Sequence, residues 1–433
     1  MKVKNIISTV AMATITIAAQ AQTSEMTVNG LKVIFKPSPK QTVSAVMFFK
    51  GGTANYSEKQ QGIESLTLAA TTECGTKNHS KDSFKDIADK YGIALGGSSS
   101  YDYGYINMSC VKPYLKEGWE LFADAVSNPV FEEKELGLLQ QKLEANLKQE
   151  EGDPDSKLRD MAMSNTFKGT RYAYKPSGTP ESIIAFKRAD VAAYYKSLQN
   201  KQNMLLVVVG NLTAAELKTM VEKAFAALPA AAAQRPAATA QDFRVAANTT
   251  TIENRELATN YIMGLMGAPK VTDPKFNSYR LAFDILSDKL FEEVRTKRNL
   301  SYAPSAFASG GMQPYSGIYV TTTKPKEAVT VMVDEIKRLR NGGFTAVELR
   351  DAKSQFATSY FMKNESNGAI AMALGVAEIR GSWKNEEAFL ERINAVTLPE
   401  MQSTFSEYTN GIQWSYLGVE AQADKDAFAK MAK

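Results

Sequence analysis

Phe131-Glu132-Glu133-Lys134-Glu135-Leu136 and Phe344-Thr345-Ala346-Val347-Glu348-Leu349 carry Phe, Glu and Leu at the same relative positions, 213 residues apart in each case (344 − 131, 348 − 135). Around this pair the likeness extends. Tyr103-Gly104-Tyr105 leading to Lys112-Pro113 matches Ser316-Gly317-Ile318 leading to Lys324-Pro325. Gly210, which ends the apolar run Met204 to Val209, matches Gly418 after Trp414 to Leu417. Self-similarity of this long period means a duplicated domain, because the repeats of a solenoid are only about 20–50 residues long.

Each copy mixes two periodicities. In the first, Leu31 to Lys36 alternates and Val43 to Phe49 is continuously apolar, so both read as strands. Leu115, Trp119, Phe122 and Val126 share one helical face, as do Leu136, Leu139, Leu143 and Leu147. In the second copy Tyr261 to Met266 and Ser316 to Thr323 are the strands, and Val329, Met332, Val333, Ile336 and Leu339 form the helical stripe. Hairpin-like strands interleaved with long helices predict an α+β fold of two homologous domains, each a largely antiparallel sheet packed with helices. Residues 228–243, rich in Ala and Pro with little to bury, read as the linker between a domain over 22–227 and another over 244–433.

Composition excludes some functions. The 433 residues are 44% hydrophobic and 23% charged, ample for large cores. A net charge of +4 with Lys and Arg scattered gives no electrostatic case for nucleic acid. At the start, Lys2 and Lys4 precede an apolar stretch, Ile6 to Ala19, and Ala19-Gln20-Ala21 offers small residues at the positions a signal peptidase reads. The run is too short to span a bilayer, so residues 1–21 are expected to be a cleavable secretory signal. The protein is expected to be periplasmic or secreted, with no integral membrane segment. Cys74 and Cys110 are either separate buried thiols or a disulfide in an oxidising compartment. His79 is the one histidine, in the polar, loop-like Gly75-Thr76-Lys77-Asn78-His79-Ser80, and one imidazole is too few for a His-based zinc site.

Lys50-Gly51-Gly52-Thr53-Ala54 followed by Gln61-Gly62-Ile63-Glu64-Ser65-Leu66 resembles the entry to the metal-binding helix of insulinase/pitrilysin-type zinc peptidases. Further matches are Asn128-Pro129-Val130-Phe131, Ser177 to Ile183, Leu206 to Leu212, and Lys289 to Arg295 running on to Leu300-Ser301-Tyr302. Active members carry H-x-x-E-H on that helix. Residues i and i+4 put two imidazoles on one face to hold zinc, and the Glu at i+3 is the general base. The resemblance places these positions at Ser65, Leu68 and Ala69, and the later third-ligand Glu at Asn146, 77 residues on (146 − 69). Leu68 cannot act as a base, Ala69 has no donor atom, and Ser65 and Asn146 are weak zinc ligands. The acids nearby, Glu64, Glu73, Glu144, Glu150 and Glu151, read as a solvated face.

In the second half the resemblance implies a substrate-binding pair, Arg295 and Tyr302, at the family's spacing. Such a pair supplies donors to a bound peptide near the zinc of the opposite domain. Read without the resemblance, Arg295 is a surface partner of Glu292 and Tyr302 the packed start of a strand. The chain resembles the non-catalytic, Arg/Tyr-bearing subunit of two-chain bacterial members. That implies no catalytic residue and no metal in this chain, zinc in a homologous H-x-x-E-H-bearing partner, and a peptide substrate. The other reading is a catalytically silent scaffold or peptide-binding protein of the cell envelope.

Overall fold

The computed structural model describes residues 22–230 and 239–430. The signal-peptide reading over 1–21 and the middle of the linker lie outside the described residues. Strands β1 (Ser24–Val28), β2 (Leu31–Pro37), β3 (Thr42–Lys50), β4 (Ala94–Ser99), β5 (Tyr103–Val111) and β6 (Met204–Gly210) form a sheet in the order β1-β2-β6-β3-β5-β4. Strands β7 (Thr249–Asn254), β8 (Asn260–Met266), β9 (Ser305–Ser309), β10 (Tyr315–Thr322) and β11 (Gln413–Gly418) form a second, in the order β7-β11-β8-β10-β9. All pairings are antiparallel except β2 with β6 and β7 with β11. The parallel pair thus occupies the same place in both sheets, and the two-domain α+β expectation holds. β6 is buried at every residue, which its uninterrupted Leu-Leu-Val-Val-Val requires: both faces of the strand are covered.

Strand register refines the internal match. Gly210 and Gly418 stand at the ends of β6 and β11, and the pairings from them through β3 and β8 set Cys110 against Thr322. Gly104 then corresponds to Ser316, one residue from the Gly317 that sequence likeness alone suggests. The facing groups agree. A β-carbon on Gly104 would point at Leu68 and Glu64, and Ser316 Oγ meets Tyr279, each on the helix alongside. One residue matters, since it moves a side chain to the other face of the sheet.

The first half contributes helices α1 (Ile63–Glu73), α2 (Lys81–Tyr91), α3 (Leu115–Ser127), α4 (Glu133–Gly152) and α5 (Pro154–Thr166). Pro154 has no N–H to continue α4, and the Asp153 side chain accepts from Ser156 N, so α5 starts afresh there. The second half repeats this break. Helices Ala346–Lys363 and Asn367–Ile379 begin 213 residues after α4 and α5 (346 − 133, 367 − 154), and Ser366 caps the latter.

The halves exchange these second helices. Leu158 and Ala162 of α5 pack on Met263, Leu265 and Leu417 of the second sheet. Ala371 and Leu374 of Asn367–Ile379 pack on Ile34, Val46, Phe48 and Val207 of the first. Gly375 allows the close approach, because a β-carbon there would run into the Phe48 ring. Polar contacts lock the exchange. Lys32 pairs with Glu378 at 2.6 Å and Glu25 at 3.1 Å, and Trp383 Nε1 donates to Glu25 at 2.9 Å. Buried Asp102 accepts from the Tyr172 hydroxyl, from Arg171 Nη2 at 3.2 Å and from Met312 N at 2.9 Å across the junction.

The end of the linker reading is docked: Phe243 and Ala268 exchange backbone hydrogen bonds of 3.0 and 2.9 Å, and the Phe243 ring lies 4.9 Å from that of Phe167. Among the described residues, no helix is long and apolar enough to cross a membrane.

Candidate functional site

α1 starts from Gly62, whose left-handed φ of 84° turns the chain out of the preceding loop and onto the first sheet beside edge strand β4. Ser65 and Ala69, four residues apart, share its half-buried face. Leu68 is 0% exposed. Its Cδ1 fills the space that a side chain at position 104 would take, and its carbonyl abuts Gly97 of β4. Asn146 is on the exposed part of α4. A hydroxyl, an isobutyl group, a methyl and an amide stand at the four positions that the resemblance assigns to the motif. Among the described residues, no group of three or more His, Cys, Asp or Glu side chains could hold a metal ion.

The neighbouring acids divide. Glu64 does not belong to a solvated face: it is 0% exposed, and its Oε2 accepts from Asn55 Nδ2 at 2.9 Å and the Tyr194 hydroxyl at 2.5 Å. The cause is helical geometry. One residue before Ser65, Glu64 points toward β5, where side-chain-free Gly104 leaves room for a carboxylate. Burial, then the Glu64 charge, push the Tyr56 phenol well above its ordinary range. Glu73, Glu144 and Glu150 pair with Lys85, Lys148 and Lys175, and Glu151 is exposed. Cys74 and Cys110 are free and buried, and His79 is half-buried in its loop with Nδ1 3.4 Å from Ser83 Oγ.

The second half presents its pair differently from either local reading. The helix Lys275–Leu290 passes into a π-helical turn over Phe291–Thr296, a feature frequent at functional sites. Arg295 lies in that turn, and the chain then reverses at Asn299, whose φ is 50°. The Arg295 guanidinium carbon is 4.1 Å from the Tyr302 ring centroid and 4.7 Å from that of Phe291. Glu292 is not its partner; it pairs with Lys289 at 3.4 Å and Lys297 at 2.8 Å. Nor does Tyr302 begin a strand, since β9 starts at Ser305 and Tyr302 is 78% exposed. A cation stacked on aromatic rings, with no carboxylate among the described residues at ion-pairing distance, keeps its N–H donors available. The Asp102–Arg171–Tyr172 junction escaped sequence reading, because nothing local marks residues some seventy positions apart as partners.

Two family profiles match the chain: Insulinase (Peptidase family M16) over residues 32–179, and Peptidase M16 inactive domain over 185–356. It is 21% identical to the "Uncharacterized zinc protease YmxG" of Bacillus subtilis, over 86% of this chain and 91% of that one. It is 24% identical to the "Non-peptidase homolog YmxG" of Helicobacter pylori, over 73% and 74%. In structure it resembles a peptidase M16 inactive domain from Pseudomonas fluorescens, with a TM-score of 0.82 at 19% identity, covering 92% of this chain and 98% of that one. The chain belongs to peptidase family M16 as an insulinase-like, non-catalytic member.

Proposed function

We propose that the chain is the non-catalytic subunit of a heteromeric zinc peptidase, working with a homologous exported chain that carries H-x-x-E-H. One observation supports this above all: Arg295, half-buried, and Tyr302, exposed, are stacked together, while Ser65, Leu68, Ala69 and Asn146 stand where the resemblance puts the metal positions. A scaffold has no use for a preserved pair of peptide donors. In the complex, zinc and its general base belong to the partner. This chain supplies chamber wall, and Arg295 N–H groups and the Tyr302 hydroxyl hold peptide carbonyls and the negative charge that develops at the attacked one. The periplasm or the cell exterior is the compartment proposed for this work.

The test is to mix the purified chain with its H-x-x-E-H-bearing counterpart and follow peptide cleavage with and without a chelator. Activity that needs both chains and falls with Arg295→Ala or Tyr302→Ala supports the reading. Full activity of the counterpart alone contradicts it. The second reading, a silent envelope scaffold, draws on the relative named a non-peptidase homolog. Its mark is co-purification with an envelope complex that holds no zinc-bearing subunit.

A further inference from the structure

The duplication gives the degenerate motif a second copy. Over 63–71 and 278–286 the burial pattern is the same: the third and seventh residues are half-buried and the rest buried. This register sets Ser65, Leu68 and Ala69 on Arg280, Phe283 and Asp284, and Glu64 on Tyr279. A separate contact agrees. Glu64 lies against Gly104, Tyr279 hydrogen-bonds Ser316 at 2.9 Å, and sheet register makes Gly104 and Ser316 equivalent. The offset of α4 sets Asn146 on Ser359 (359 − 213). Arg280, Phe283, Asp284 and Ser359 all line one cavity of about 770 Å³, between the helices Lys275–Leu290, Ala346–Lys363 and Asn367–Ile379.

Arg280 is the unusual group in it. Its guanidinium carbon stands 5.3 Å from the Phe356 ring centroid and 5.1 Å from that of Phe389. Protein surrounds the side chain, which keeps only part of its surface open to the cavity. Among the described residues nothing accepts a hydrogen bond from it or comes within ion-pairing distance, Asp284 and Glu386 included. Burial lowers its pKa, the direction expected of a cation deprived of solvent without a bound anion. Arg380, also in the lining, has a buried Nε with no hydrogen-bond partner. With Lys363 and Arg392, the lining holds four cations against two carboxylates. Elsewhere the lining mixes apolar Phe276, Phe307, Met372 and Val376 with the amides of Asn277, Gln355, Asn364 and Asn385.

We propose that this cavity binds a carboxylate carried on an apolar body, the acid meeting Arg280 and the body resting on the phenylalanine-rich wall. Rings against the guanidinium leave its in-plane N–H edge as the available donor surface, which suits the two parallel oxygens of a carboxylate. The unpartnered donors of Arg280 and Arg380 gain the acceptors that they lack. The ligand is a free organic acid or the C-terminal carboxylate of a short peptide, and the site stands apart from any role of Arg295 and Tyr302.

The experiment is calorimetric titration of the full chain with phenylacetate, with N-acetyl-Ala-Phe as free acid and as amide, and with inorganic phosphate. At least one free acid should bind, with the amide weaker by at least tenfold. Binding of the peptide acid alone identifies a chain terminus as the ligand, and comparable binding of phenylacetate a small acid. Arg280→Met should abolish binding while circular dichroism stays unchanged. If that variant does not fold, Ala373→Trp, which fills the cavity from another wall, should abolish binding instead. Equal affinity for acid and amide, tighter binding of phosphate, no binding of either acid, or retained binding in the folded variants would overturn the proposal.

Discussion

Arg295 and Tyr302 are seven residues apart in sequence, and the guanidinium carbon of one stands 4.1 Å from the ring centroid of the other. The stack is made by backbone shape, the π-helical turn that carries Arg295 and the left-handed Asn299 behind it. Because Tyr302 is 78% exposed, its removal should cost the fold little, about 0.5–1 kcal/mol from the lost cation–π contact. In the complex with a zinc-bearing counterpart, Arg295→Ala should lower kcat/KM by about 10²-fold, the scale of losing one preorganised donor. Urea midpoints and steady-state rates for both variants separate the two effects. A large stability loss with unchanged rates would make the pair structural.

Leu68 carries the opposite expectation. It is fully buried against Gly104 and Gly97, so Leu68→Ala should destabilise the chain by about 2–5 kcal/mol through the cavity left behind. Ser65→Ala, on the half-buried face of the same helix, should stay within about 0.5 kcal/mol of the parent. Denaturant titration of the two compares a position turned to core packing with one that is merely vacant.

Acid should loosen the exchange between the halves. Burial opposes the charged forms of Glu25 and Glu387, but hydrogen bonds from Trp383 and Lys32 to the first, and from Lys36 and Thr23 to the second, outweigh it. Both carboxyls are therefore held below the usual 4.5. A carboxyl lowered on folding contributes stability that is present above its unfolded value and lost as pH falls through the folded one. Urea midpoints should drop as pH is taken below about 4.5, and Glu25→Gln with Glu387→Gln should flatten that slope. An unchanged slope in the double variant would place the acid sensitivity elsewhere.

The thiols should be silent. Burial, first among the causes, pushes Cys74 up to about 12 and Cys110 up to about 11. A thiol reagent at pH 8 should modify neither residue in the native protein and both after denaturation, because the thiolate is the reactive form. Rapid native modification would show one of them open to solvent.

Much of the architecture was legible because it rests on period and repetition. The apolar runs became β2, β3, β6 and β8, and the 213-residue offset reappears in the starts of four helices. Register was less legible: likeness of letters set Gly104 on Gly317, and only strand pairing shows the partner to be Ser316. Glu64 was misread because charge suggests solvent, whereas the space that Gly104 leaves for its carboxylate is contributed from another strand. Arg280 and Arg380 are, as letters, ordinary surface cations. The rings that enclose Arg280 belong to Phe356 and Phe389, far from it in sequence.

The most direct test of the account is zinc content and peptide hydrolysis measured together on the isolated full chain after equilibration with excess zinc and desalting. The expected result is no stoichiometric zinc and no chelator-sensitive cleavage. One zinc per chain, with hydrolysis that a chelator abolishes, would contradict it.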